Sequence, residues 1–331
     1  MAKLKPSEVF STLKTAVETP GHPPVFIWGP PGVGKSSVTR QVAASTKRNL
    51  VDIRAALLDP TDIRGIIMPK GGKAVWWPPA FLPPSDSKEP WLLFLDELNL
   101  APVLTQQSCY QLVLDRAIGE YRLPENCFIV AAGNRLEDRA GVREMPAPLA
   151  NRFVHMQFEV DVNEWCNWAI DHGISAETIA FIRLNPDQLF NFDPQRDRTS
   201  YPTPRSVEFA DTVWRTHNQA SYAWDLIEGC CGKEWSAKFA GYIKVYQELP
   251  SIDGILAGKV HTVPTRSDLR YAVIAMLGTK AQPEHLEAIV RYSLKFPVEH
   301  GTFLINLLAR RKGMLEPLSK TPAYREWMKE H

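Results

Sequence analysis

Two acids stand side by side at the end of an apolar run, Leu92-Leu93-Phe94-Leu95-Asp96-Glu97. About sixty residues earlier, Gly29-Pro30-Pro31-Gly32-Val33-Gly34-Lys35-Ser36-Ser37 fits the pattern G-x-x-x-x-G-K-[ST]. The glycines let the backbone turn so that its N–H groups point inward, and the start of a following helix adds partial positive charge. Such a loop cradles phosphates, so Gly29 through Ser37 are the candidate nucleotide-binding residues. Lys35 supplies a point charge to the β- and γ-phosphates, and the Ser36 hydroxyl suits Mg²⁺. Asp96 is placed to hold the same metal, directly or through water. Glu97 is placed to polarise an attacking water as general base. Adjacent acids at a strand end are costly to bury without a metal or partners, which favours this reading over a solvated strand end.

Three more polar residues are candidates. Asn134 ends the run Phe128-Ile129-Val130-Ala131-Ala132-Gly133. It could hydrogen-bond a γ-phosphate or the attacking water; the alternative is an ordinary turn asparagine after glycine. Arg205 follows Thr203, the expected N-cap, and Pro204, the first helical residue. A cation in a first helical turn opposes the helix dipole, so contact with an anion is a better use for it. Arg152 precedes an apolar run, Phe153 to Val160. That fragment alone leaves open whether it is a surface charge or a chemical group.

These residues need a scaffold. Helical patterns cover residues 8–18, Ser36–Thr46 and Leu104–Ala117. Strand patterns cover Pro23–Gly29, Leu50–Ala56, Trp91–Glu97, Cys127–Asn134 and Arg152–Val160. Strands alternating with helices indicate an α/β fold with a parallel sheet covered on both faces. The runs are apolar throughout, as doubly covered strands should be. The phosphate-loop motif marks this as a P-loop core, and a resemblance to such cores implies five parallel strands in the order 5-1-4-3-2. From Asp161 onward helices dominate to about Leu249, Pro250–Ser267 reads as a linker, and helices at Asp268–Leu277, Glu284–Lys295 and Thr302–Arg310 follow. The division is 1–160, 161–250 and 251–331.

The totals exclude other classes. The 38 basic and 37 acidic residues nearly cancel, so the whole chain carries no polyanion-binding signature. No apolar run approaches a membrane span. Basic residues near Met1 lack a following apolar stretch, so no secretory signal is expected. Five cysteines, Cys109, Cys127, Cys166, Cys230 and Cys231, show no C-x-x-C spacing and read as reduced packing residues of a cytoplasmic protein.

The order of motifs resembles the MoxR branch of AAA+ ATPases. Leu57–Ile66, "LLDPTDIRGI", looks like the branch's segment after its second strand, and "DELNLAP" (Asp96–Pro102) is similar to its acid motif. Asp115–Asn134 looks like its hairpin before the sensor strand. "PLANRF" (Pro148–Phe153) resembles its arginine-finger box, and "TPRS" (Thr203–Ser206) its sensor-2 motif. Leu100 and Arg135 depart from the usual pattern near what would be a subunit boundary. The resemblance implies an AAA+ core, a helical lid and a C-terminal helical extension. It also implies a ring, usually a hexamer, with ATP between neighbours. Hydrolysis would be coupled to remodelling or activating a protein partner, often one with a von Willebrand factor A domain. Arg152 would then serve a neighbour's ATP, with Arg135 or Arg143 as substitutes for that role.

Two other functions fit parts of the pattern. A McrB-like or helicase-type nucleic-acid motor shares the motifs, although the balanced charge gives it no basic stripe. A P-loop kinase would be a monomer with a phosphorylated product, and Glu97 and Arg152 argue against it. No residue identified in the chain reads the base, so ATP rather than GTP follows only from the resemblance. The insertion Gly65–Asp86 contains "KGG", a hairpin turn signal. Its Trp76, Trp77 and Phe81 are expected to pack beneath the proline-rich loop, the alternative being a pore-facing or partner-facing insertion. His155 is expected to be a core histidine, and Tyr324 with Trp327 to dock on the chain's own helices.

Overall fold

The computed structural model describes residues 1–138, 145–193, 199–246, 249–311 and 313–330. The chain forms two compact units, the first essentially Met1–Asp161, the second beginning at Val162.

The first unit is built on a sheet of β1 (Ala2–Leu4), β2 (Val25–Trp28), β3 (Asn49–Arg54), β6 (Trp91–Asp96), β9 (Cys127–Gly133) and β10 (Val154–Phe158). Their order is β1-β10-β2-β9-β6-β3, and every pairing is parallel. The order expected from the sequence corresponds to β10-β2-β9-β6-β3. The sixth strand, β1, is an addition that joins the edge of β10. Three residues are too few to show an alternating pattern, and β1 is fixed by its pairing and by the ion pair of Lys5 with Asp161 at 2.8 Å.

Helices α1 (Pro6–Glu18), α2 (Lys35–Ser45), α3 (Pro60–Arg64), α4 (Val103–Asp115) and α5 (Ala147–Ala150) complete this unit. Strand β9 is buried along its whole length, as a strand covered on both faces must be. One core cluster joins Phe26, Leu93, Leu95, Leu98, Ile129, Ala131, Leu149 and Phe153. The expected strand at Arg152 starts two residues later, at Val154. The turn before it is closed by Arg152 N–H to Leu149 O at 3.1 Å and Phe153 N–H to Ala150 O at 3.2 Å.

The insertion forms an antiparallel hairpin of β4 (Ile66–Lys70) and β5 (Lys73–Trp77), turning at Gly71 and Gly72. Only Trp76 meets the expectation of packing. It lies against Gly119, where an added Cβ would come within 3.1 Å of its side chain. Ile66 and Trp77 are 68% and 54% exposed, because among the described residues no layer covers this two-stranded ribbon. A smaller hairpin, β7 (Ala117–Ile118) with β8 (Tyr121–Arg122), precedes β9.

The second unit is helical, from α6 (Val162–Asp171), α7 (Ala176–Leu184), α8 (Pro204–His217), α9 (Ala223–Cys231) and α10 (Lys233–Tyr246) to α11 (Ile252–Leu256), α12 (Ser267–Lys280), α13 (Leu286–Ser293), α14 (Val298–Arg310), α15 (Leu315–Lys320) and α16 (Pro322–Glu330). Helix α11 occupies part of the expected linker, with Ser251 as its N-cap. Trp327 is buried in a core with Ile289, Leu304 and Leu308, and Tyr324 packs beside it.

Candidate functional site

In a parallel sheet all strands end at the same edge, and ligands bind in the crevice beyond those ends. Here Trp28 pairs with Gly133, and Asp96 ends the strand beside β9. The loop after Trp28, the acids after Leu95 and Asn134 are therefore brought to one place. The loop leaves β2 at Gly29, whose N–H donates to Gly133 O at 3.2 Å. Gly32 and Gly34 have φ of 76° and 107°, which a side chain would make strained. Helix α2 begins at Lys35 with no side-chain cap and no acid in its first turn, which suits its leading end to an anion. Of the nine loop residues, Ser37 is exposed while Gly29, Pro30, Val33 and Lys35 are buried.

Lys35 sends its ammonium to Gly29 O (2.7 Å), Pro30 O (2.8 Å) and Asn134 Oδ1 (3.0 Å). The Ser36 hydroxyl donates to Asp96 Oδ2 at 2.6 Å, and Asp96 Oδ1 accepts the Glu97 N–H at 3.0 Å. This hydroxyl and carboxylate form a pair of hard oxygens suited to Mg²⁺, which completes its shell with phosphate and water rather than with a protein cage.

Glu97 is half-buried and adopts a left-handed backbone, φ 55° and ψ 32°. A non-glycine residue there costs on the order of 1–2 kcal/mol, and such strain clusters at functional sites. Among the described residues its carboxylate makes no hydrogen bond or ion pair.

Asn134 is held from behind by Asn99, which the sequence reading had not singled out as a site residue. Asn99 is fully buried. Its Nδ2 donates to Asn134 O at 2.7 Å, and its Oδ1 accepts from Asn134 N–H at 3.1 Å. Gly133 makes room for this, since an added Cβ would lie 2.2 Å from Asn99 Oδ1. Because Lys35 can only donate, Asn134 turns its oxygen to it, which leaves its NH₂ without an acceptor among the described residues.

The two arginines lie elsewhere. Arg152 precedes β10, whose Val154 pairs with Val25 at the start of β2, so it stands at the edge of the sheet opposite the phosphate loop. It is exposed, and among the described residues its guanidinium has no partner. Arg135 is different: its guanidinium is paired with Glu137 and Asp138, both at 2.7 Å. Arg143 lies outside the described residues. Arg205 belongs to the helical unit, in the first turn of α8. Thr203 caps that helix by accepting from Ser206 N–H at 3.1 Å. Arg205 is exposed and without a partner among the described residues.

The cysteines are free, and all but Cys230 are buried. Burial pushes the Cys109 thiol up to about 12 and the Cys127 thiol to about 11. No helix among the described residues is long and apolar enough to cross a membrane.

A family model described as an AAA domain of the dynein-related subfamily matches residues 24–153. Among solved structures, NtrX from Brucella abortus is 15% identical with a TM-score of 0.45, over 95% of this chain and 67% of its own. The same protein in complex with ADP is 15% identical with a TM-score of 0.43, over 98% of this chain and 67% of its own. A mutant of RuvB from Thermotoga maritima is 16% identical with a TM-score of 0.44, over 92% of this chain and 88% of its own. The α/β unit, with its parallel sheet, its phosphate loop and a family match running from Pro24 to Phe153, is a P-loop AAA core followed by a helical region.

Proposed function

We propose that the chain is a subunit of a ring-forming ATPase that couples ATP hydrolysis to remodelling or activating a protein partner. The reading follows the MoxR branch that the sequence resembles, with a hexameric ring and a partner carrying a von Willebrand factor A domain. Residues 1–160 serve as the nucleotide-binding core, 161–250 as the lid and 251–331 as an extension, in a cytoplasmic protein. The supporting observation is a divided set of groups. Lys35, Ser36, Asp96, Glu97 and Asn134 gather at one edge of the sheet, while an exposed Arg152, without a partner among the described residues, stands at the other.

In this reading Gly29 to Ser37 hold the phosphates through backbone N–H groups. Lys35 exchanges some of its present acceptors for β- and γ-phosphate oxygens. Mg²⁺, when bound, offsets phosphate charge, and Ser36 and Asp96 hold it. Glu97 takes the proton of the attacking water, and the Asn134 NH₂ orients that water or the γ-phosphate. Arg152 of the neighbouring subunit stabilises the developing phosphoryl charge, for which a planar guanidinium is suited. Arg205, in the box that resembles sensor 2, is assigned to an anion.

The test is native mass measurement of the Glu97→Gln variant with ATP. A hexamer supports the reading and a strict monomer contradicts it. Phosphate release from wild type without a phosphorylated product separates it from a kinase, and salt-dependent DNA affinity would favour the nucleic-acid motor instead.

A further inference from the structure

Arg152 is exposed, yet the residues around it are anchored. Phe153 is buried, and its ring meets Phe26 edge-on at 5.4 Å between centroids. On the other side the carbonyl of Ala150, the last residue of α5, accepts twice. It takes the Phe153 N–H at 3.2 Å and hydrogen-bonds His155 Nε2 at 2.8 Å. The second ring nitrogen of His155, Nδ1, accepts from Trp28 Nε1 at 2.8 Å. Indole can only donate and a carbonyl can only accept, so both bonds together require the neutral imidazole with its proton on Nε2. Trp28 is the residue immediately before Gly29. One imidazole therefore spans from the residue that opens the phosphate loop to the turn that presents Arg152.

The surroundings stiffen this span. Phe26 and Trp28 of β2 lie beside His155 of the adjacent β10 and Phe153 just before it, with Phe26 and Trp28 at 4.3 Å and Trp28 and His155 stacked at 6.0 Å. Phe26 also reaches β9, where its Cζ would lie 2.9 Å from a Cβ on Gly133. A group that stabilises charge on a neighbour's phosphate must be held on a fixed base, because misplacement by about 1 Å can cost on the order of a hundredfold in rate.

We propose that His155 is a positioning residue, tying the turn that carries Arg152 to the strand that ends in the phosphate loop. This rests on the reading of Arg152 as acting on the neighbour's ATP. An ordinary core histidine would affect only the stability of its own subunit. A positioning histidine changes turnover at a site in the next subunit, which its side chain never touches.

Mixed rings make that distinction. Arg152→Ala subunits provide intact phosphate loops, and Lys35→Ala subunits provide only Arg152. The informative donor is Lys35→Ala/His155→Phe, which keeps an aromatic ring but loses both hydrogen bonds. A second donor, Lys35→Ala/Trp28→Phe, removes one bond and leaves the imidazole in place. Steady-state ATP hydrolysis is measured in each mixture at equal ring content by native mass. The proposal expects the His155→Phe donor to restore roughly ten- to a hundredfold less kcat than Lys35→Ala alone, with KM unchanged. The Trp28→Phe donor should fall between the two. Equal restoration by all three donors overturns the proposal while leaving the trans role of Arg152 intact. No restoration by Lys35→Ala itself overturns the trans reading, and the proposal with it.

Discussion

Asn99 and Asn134 are joined by two hydrogen bonds, side-chain amide to main-chain amide, at 2.7 and 3.1 Å in a fully buried setting. The pairing fixes the backbone of Asn134, whose own side chain then faces Lys35 and the phosphate site. It links the segment that follows the acids to the end of β9.

Removing Asn99 should therefore cost both stability and turnover. Asn99→Ala leaves a buried N–H and C=O unpaired, at about 1–3 kcal/mol for each. Denaturant unfolding should show a loss of roughly 2–6 kcal/mol. At a temperature where the variant is folded, kcat should drop more than nucleotide affinity does. Equal stability in the variant would mean water replaces the amide without penalty.

The left-handed backbone at Glu97 makes stability and activity oppose each other. Glu97→Gln should bind ATP and lose at least about a hundredfold in turnover, the usual contribution of a general base. Glu97→Gly should be as inactive, yet about 1 kcal/mol more stable, since glycine adopts φ 55° without strain. Normal phosphate release in Glu97→Gln would remove the base assignment.

The buried thiols set the alkaline limit. Burial raises Cys109 to about 12 and Cys127 to about 11, against an ordinary value of 9.0. Between these values the unfolded chain loses thiol protons that the folded chain keeps. Unfolding then releases protons, so stability falls as pH rises above 9, by up to about 1.4 kcal/mol per pH unit for each thiol. The buried Tyr121 and Tyr292 act in the same direction at higher pH. Unfolding midpoints from pH 7 to 10.5 should be flat and then decline. Replacing Cys109 with Ala should reduce the slope, and an unchanged slope would assign it to other groups.

The sequence exposed what local spacing encodes. The loop Gly29–Ser37 and the acids Asp96 and Glu97 are contiguous motifs, and their strands are long apolar runs. The strand order came from the resemblance to a P-loop AAA+ core, and the cap at Thr203 from its neighbours. Other features depend on distant pairs. Asn99 meets Asn134 from 35 positions away, and Trp28 meets His155 from 127 positions away. No periodicity reports such contacts. Strand β1 was too short to show a pattern, and α11 was hidden by the prolines and glycines around it. The exposure of Trp77 depends on the absence of a covering layer, which a bulky side chain cannot announce in sequence.

The central claim is that each site is completed by Arg152 of another subunit, and mixing two inactive variants tests it most directly. Arg152→Ala should bind ATP and hydrolyse on the order of 10³-fold more slowly or worse. Lys35→Ala should bind nucleotide weakly and hydrolyse little. Mixed in equal amounts, they should recover a substantial share of wild-type turnover, because some Arg152→Ala sites then face an intact Arg152. A mixture no more active than the sum of its parts would contradict the account.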